Sequence, residues 1–120
     1  MKQVLATDQA PAAIGPYSQG IAAGETVYVS GQLPLDPATG AFPEGIAAQT
    51  AQSLKNIQAI LAQQGMTLAN VVKTTVFLAD INDFAEMNKV YGEFFTQPYP
   101  ARSAVQVAKL PKDAPLEIEC

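Results

Sequence analysis

The stretch Val71-Val72-Lys73-Thr74-Thr75-Val76-Phe77-Leu78-Ala79 constrains this chain more than any other. β-branched and aromatic side chains fill it, so it reads as a strand. Alternation places Val72, Thr74, Val76 and Leu78 on one face and Val71, Thr75 and Phe77 on the other. Both faces are largely apolar, so the strand belongs at the centre of a sheet, under cover. Two helical patterns can supply that cover. Over Ile46–Gln64, residues Ile46, Thr50, Leu54, Ile57 and Leu61 recur at intervals of three or four, and Gly65 suits the position after a helix end. Phe84, Met87, Asn88, Tyr91 and Phe95 share a face of a second helix. Asp83 and Glu86 have capping-box spacing at its start, and Gln97-Pro98-Tyr99-Pro100 stops it.

The remaining strands are shorter. Lys2–Ala6 comes first. Tyr17–Ala23 and Thr26–Ser30 follow, joined by a turn at Gly24-Glu25. Asp8–Pro16 and Leu33–Gly45, rich in proline and glycine, read as loops. Arg102–Val107 and Pro115–Cys120 end the chain and read as a hairpin. The order predicts one α+β domain over residues 1–120, with two helices on one face of one sheet. The other sheet face then has no cover, although several of its positions are apolar. Charged residues make up only 15% of the chain, so a second copy is the expected cover.

The composition excludes several functions. Net charge is −4 and the seven Lys and Arg residues are scattered, which is the wrong footprint for nucleic acid. There is no histidine and Cys120 is the sole cysteine, so neither a zinc site nor a histidine-based nucleophile can be built. No phosphate-binding glycine motif occurs, and no cofactor is implied. No apolar run approaches the roughly 20 residues of a membrane span, and no signal peptide opens the chain. A cytoplasmic protein is the expectation.

What remains for chemistry is a guanidinium and a carboxylate at fixed strand positions. Arg102, Ala104 and Gln106 point one way from their strand; Glu117 and Glu119 share a face of theirs, opposite Leu116, Ile118 and Cys120. The polar faces of the two strands are expected to line one cleft. An arginine fork fits a carboxylate with two parallel hydrogen bonds, and a glutamate can deprotonate a water. The residues alone leave a plainer reading open, that of exposed strand residues or a structural ion pair. Asn88 reads either as an interior amide bonded to backbone or as a pocket wall. Tyr17 reads as a half-buried aromatic or a pocket edge, and Ser30-Gly31 as a strand end or a point of close backbone approach. Asp80, Asp83 and Glu86 are assigned to helix capping. The other aromatics, Tyr91 among them, read as packing.

Pro100-Ala101-Arg102-Ser103, the alternating strand after it, Leu110-Pro111 and Leu116-Glu117-Ile118 together resemble the signature of the RidA/YjgF/UK114 family. Gly15-Pro16-Tyr17-Ser18-Gln19, Val29-Ser30-Gly31-Gln32, Lys55-Asn56-Ile57 and Asn88-Lys89-Val90-Tyr91 are similar to family motifs in family order. The resemblance implies a chorismate-mutase-like fold with a six-stranded mixed sheet, and a homotrimer whose sheets form a central barrel. It implies that the last strand inserts beside Thr26–Gly31 rather than forming the hairpin. It implies hydrolysis of 2-imino acids to 2-oxo acids and ammonia, in clefts shared between subunits, with protection of pyridoxal-phosphate enzymes. Arg102 would clamp the substrate carboxylate and Glu119 would hold the attacking water. Tyr17, Ser30, Gly31, Asn88 and the backbone N–H of Ala104 would line the pocket. Many relatives have cysteine where this chain has Ala104, so a thiol-based role does not carry over. Relatives also run several apolar residues beyond the position of Glu119, where this chain has Cys120. The alternatives are a non-catalytic binder of small carboxylates and a chaperone or ribonuclease. A binder would need Arg102 but not Glu119.

Overall fold

The computed structural model describes all 120 residues. Strands β1 (Lys2–Leu5), β2 (Gly20–Ala23) and β3 (Thr26–Val29) form an antiparallel ladder. The β2–β3 turn is the expected one, with Gly24 at φ 60°. Helix α1 (Ile46–Ala62) leads to β4 (Lys73–Leu78), α2 (Phe84–Phe94), β5 (Ala101–Gln106) and β6 (Leu116–Glu119). In the second ladder β4 is central, with β5 parallel on one side and β6 antiparallel on the other. The ladders join where Gln32 and Ile118 exchange backbone hydrogen bonds of 2.7 and 3.1 Å. Val29 N–H also donates to the Cys120 carbonyl at 2.9 Å. The result is a six-stranded mixed surface in the order β1-β2-β3-β6-β4-β5 with two helices on one face, an α+β fold.

The hairpin expected of the last two strands is therefore absent. β6 crosses to the far edge of β4, where Leu116 lies beside Leu78 and Ile118 beside Val76. All four are fully buried beneath α1, and burial of that apolar face outweighs the short connection a hairpin offers. The crossing is made by a tight turn at Pro111–Asp113, with Lys112 and Asp113 in the left-handed region.

α1 buries a wider stripe than its period predicts. Ser53, Asn56 and Ile60 are buried along with the expected face, because the helix packs against both the sheet and α2. Asn56 donates to the carbonyls of Leu33 (3.1 Å) and Leu35 (2.9 Å), fixing the start of the long loop. Two local readings change. Asp83 makes no capping hydrogen bond; Asp80 instead accepts from Asn82 N–H at 2.9 Å in a 3₁₀ turn that leads into α2. Tyr17–Gln19 lies outside β2. Buried Gln19 pins that segment, its amide donating to the Thr7 and Pro11 carbonyls at 3.0 and 2.7 Å.

The face away from the helices is open. Val4 (60% exposed), Tyr28 (63%) and Val105 (43%) lie on it with half-buried Ile21 and Phe77. β4 is central as expected, but this chain covers only its Thr74, Val76 and Leu78 face.

Candidate active site

Arg102 sits on β5, the last strand of the sheet, beside Thr74 of β4. Thr74 is fully buried, so this is the helix-covered face. The Arg102 Nη1 donates to Asn88 Oδ1 at 2.7 Å. Its Cζ lies 4.7 Å from the centre of the Tyr91 ring and 5.5 Å from that of Phe84. No carboxylate touches it; the chain's ion pair is Lys109–Asp113, elsewhere. A guanidinium held by an amide and two ring faces keeps most of its donors free for a ligand. Asn88 is exposed, which sets aside its reading as an interior amide. Ala104 follows two residues on along the same face. The N–H groups of Ala101 and Val107 donate inward to Val72 and Leu78. The alternate residues Arg102, Ala104 and Gln106 therefore direct theirs outward from the sheet edge. The Ala104 N–H is a further donor beside the guanidinium.

The carboxylates are elsewhere. Glu119 lies beside Thr75 and Glu117 beside Phe77, on the open face. The single cleft expected for Arg102 and Glu119 does not form within one chain. Arg102 is in phase with Thr74 and Glu119 with Thr75, and one residue of phase reverses the face. Around Glu119 runs an open groove of about 880 Å³, lined also by Tyr17, Ser30, Lys73, Thr75 and Cys120. Tyr17 is 52% exposed at its rim. The Ser30 hydroxyl is engaged, donating to the Ser18 carbonyl at 2.6 Å, so it holds the Tyr17 loop in place.

Gly31 packs against the carboxyl of Glu117, and a Cβ there would overlap it. Only glycine lets this backbone and the side chain approach so closely. Burial first, and the Glu119 charge second, raise the Glu117 pKa above the usual carboxylate range. The same two causes push the Cys120 thiol up to about 12, which leaves it protonated and unreactive. The site thus divides into a cationic half of Arg102, Asn88 and Ala104 and an acidic half of Tyr17, Ser30, Gly31, Glu117 and Glu119. Sequence reasoning placed Glu117 on the Glu119 face without a role of its own and read Tyr91 as packing. Their positions depend on which strands are neighbours, and alternation along a strand does not reveal that.

The model of the endoribonuclease L-PSP family matches residues 7–120. A Salmonella typhimurium protein named 2-iminobutanoate/2-iminopropanoate deaminase is 52% identical, over 99% of this chain and 95% of its own. Its Escherichia coli K12 counterpart, of the same name, is 51% identical over the same shares. Among solved structures, the E. coli YjgF product superposes with a TM-score of 0.93 at 51% identity, covering 98% of this chain and 94% of that one. E. coli TdcF, solved with bound serine, gives 0.93 at 48% identity and the same coverage. With agreement along nearly the whole length in both sequence and strand arrangement, this chain belongs to the endoribonuclease L-PSP family, also known as RidA/YjgF.

Proposed function

We propose that the protein hydrolyses 2-imino acids such as 2-iminobutanoate and 2-iminopropanoate to 2-oxo acids and ammonia. In this role it removes reactive enamine and imine species before they attack pyridoxal-phosphate enzymes. The names of its half-identical relatives support the reaction. The observation that carries it here is an arginine fork with no acidic partner, separated by one sheet thickness from a pair of carboxyls.

No single substrate reaches both halves in one chain. The apolar open face and the unpaired edge of β5 favour assembly with further copies, as a homotrimer whose clefts join the cationic half of one chain to the acidic half of the next. Arg102 then takes the substrate carboxylate in two hydrogen bonds, with the Ala104 N–H beside it and Asn88 holding the guanidinium. Tyr17, with Ser30 and Gly31 behind it, closes the opposite wall.

A glutamate takes one proton from water as the oxygen bonds to the carbon of the N-protonated imine and the C=N π electrons move to nitrogen, neutralising it. The carbinolamine that forms then loses ammonia. The glutamate returns its proton to the departing nitrogen, and the remaining hydroxyl becomes the 2-oxo group as its own proton passes to the freed glutamate and on to solvent. Glu119 was the residue expected from the sequence. We assign the task to Glu117, because burial and then the Glu119 charge raise its carboxyl above the usual range, which makes it a stronger base than an ordinary carboxylate, and because it rests against Gly31. These steps use only groups of the chain and need no cofactor.

The family description mentions a ribonuclease, but a net charge of −4 with scattered cations gives RNA no footing. No helix is long and apolar enough to cross a membrane. The test couples the protein to an amino-acid dehydratase and follows disappearance of the imine. Wild-type protein is expected to speed its loss and Arg102→Ala to abolish the acceleration. Equal rates with and without protein would leave the carboxylate-binder reading.

A further inference from the structure

We propose that Tyr91, locked by Thr74, is the positioning residue that aims the Arg102 guanidinium at the substrate. The inference rests on Arg102 being the carboxylate clamp and adds how the clamp is held. Arg102 projects from an edge strand, where a long flexible side chain has nothing on its outer side. Acidic holders would fix it but would also occupy its donors. The chain uses a ring instead. Tyr91 is 5% exposed, and its face lies 4.7 Å from the Arg102 Cζ. A ring gives a cation a surface to rest on without taking any N–H.

A ring is useful as a shelf only if its tilt is fixed. The Tyr91 hydroxyl shares a hydrogen bond of 2.8 Å with the Thr74 hydroxyl, and Thr74 is fully buried. Thr74 is also the register partner of Arg102 on the neighbouring strand. The residue that locks the ring therefore shares a β-ladder with the residue the ring supports. Phe95 packs on the ring at 4.5 Å between centroids, on α2's own side. Asn88, one helical turn before Tyr91 on α2, holds the guanidinium edge at Nη1. With the ring beneath and the amide at Nη1, the remaining donors have no hydrogen-bond partner in the chain.

This arrangement acts on substrate binding and not on the proton transfers. Loss of the shelf is expected to raise KM and the Kd for a 2-oxo acid together, while kcat stays within about twofold, because a misaimed clamp weakens ground-state and transition-state binding alike. Tyr91→Leu removes the ring and is expected to raise KM roughly three- to tenfold. Tyr91→Phe combined with Thr74→Val removes both hydroxyls but keeps their volumes, so no buried polar group is left alone. It is expected to give a smaller rise of about two- to threefold, with the fold retained.

The deciding measurement is a cycle with Arg102→Lys, titrating 2-oxobutanoate by calorimetry alongside imine hydrolysis. A lysine is a point charge with no plane to stack, so in that background the Tyr91→Leu effect on Kd is expected to be much smaller. If the Tyr91→Leu effect is the same in both backgrounds, the shelf is only packing and the proposal fails. If Tyr91→Leu lowers kcat with Kd unchanged, it fails as well. If Arg102→Lys itself leaves 2-oxobutanoate binding unchanged, the clamp is not Arg102, and the underlying reading falls together with this one.

Discussion

The two halves of the site are built on opposite principles. Around Arg102 every neighbour is neutral: an amide, two ring faces and a buried threonine behind one of them. The charge is kept, its direction is fixed and its donors stay free. Around Glu117 the neighbours work against charge. Burial and a second carboxylate push its pKa up, and the chain's ion pair lies elsewhere. A group that must bind an anion needs a fixed orientation at constant charge. A group that must accept and return a proton needs a charged form only slightly preferred over the neutral one. Arg102 and its neutral neighbours lie together within one chain, whereas the two carboxyls lie on a face the chain leaves open.

The largest effect expected from this contrast is on turnover. Glu117→Gln keeps the size of the side chain and removes the base, so kcat is expected to fall by about 10²–10⁴ with 2-oxobutanoate binding nearly unchanged. Glu119→Gln removes only the neighbouring charge that helps raise Glu117, and should lower kcat by less than about tenfold. Steady-state kinetics on both variants checks this. A larger loss from Glu119→Gln would return the water-activating role to the residue first expected. The next effect belongs to the cationic half. Arg102→Lys keeps the charge but loses the planar fork, so KM should rise by about one to two decades while the pH dependence of kcat is preserved. A shifted pH profile in this variant would mean that the two halves are electrostatically coupled and the contrast is overstated.

A third experiment asks whether the halves belong to different chains. Arg102→Ala and Glu117→Gln proteins, each nearly inactive, are co-expressed so that mixed assemblies form. In a ring of random composition, a cleft taking its arginine from one chain and its glutamate from the next is intact at roughly a quarter of positions. Activity should therefore recover to that fraction of wild type. Mixed assemblies, verified by mass, with no recovery would show that both residues serve from a single chain.

Much of the fold was legible in the sequence because its signals are local. The period of α1, the alternation of β4 and the glycine turn at Gly24 each depend on neighbours in the chain. The position of β6 was not, because Leu116 and Ile118 would satisfy their alternation equally well beside β5. That ambiguity extended to the site. With β6 next to β5, Arg102 and Glu119 could share a cleft; with β4 between them, phase places them on opposite faces. The choice between Glu117 and Glu119 depends on Gly31, which becomes a neighbour only because β3 and β6 meet. The family resemblance supplied the strand order that the residues alone do not.

The smallest expected effect is on stability, and it runs opposite to the effect on activity. The folded pKa of Glu117 lies above the ordinary value of 4.5. Between those two values the folded chain holds a proton that the unfolded chain has released. Stability contributed by this group is therefore full below pH 4.5 and is lost as the pH rises through the folded pKa. At neutral pH the charged, half-buried carboxyl is a standing cost, increased by Glu119 beside it. Glu117→Gln removes that cost, so the variant that loses most turnover should melt slightly higher than wild type at neutral pH. The difference should shrink to nothing as the pH falls below 4.5, where wild-type Glu117 is itself neutral. Thermal melts of both proteins across this range, at fixed concentration so that assembly contributes equally, measure it. An offset that does not change with pH would assign the gain to packing, and a lower neutral-pH Tm for the variant would show that a partner chain stabilises the charged form.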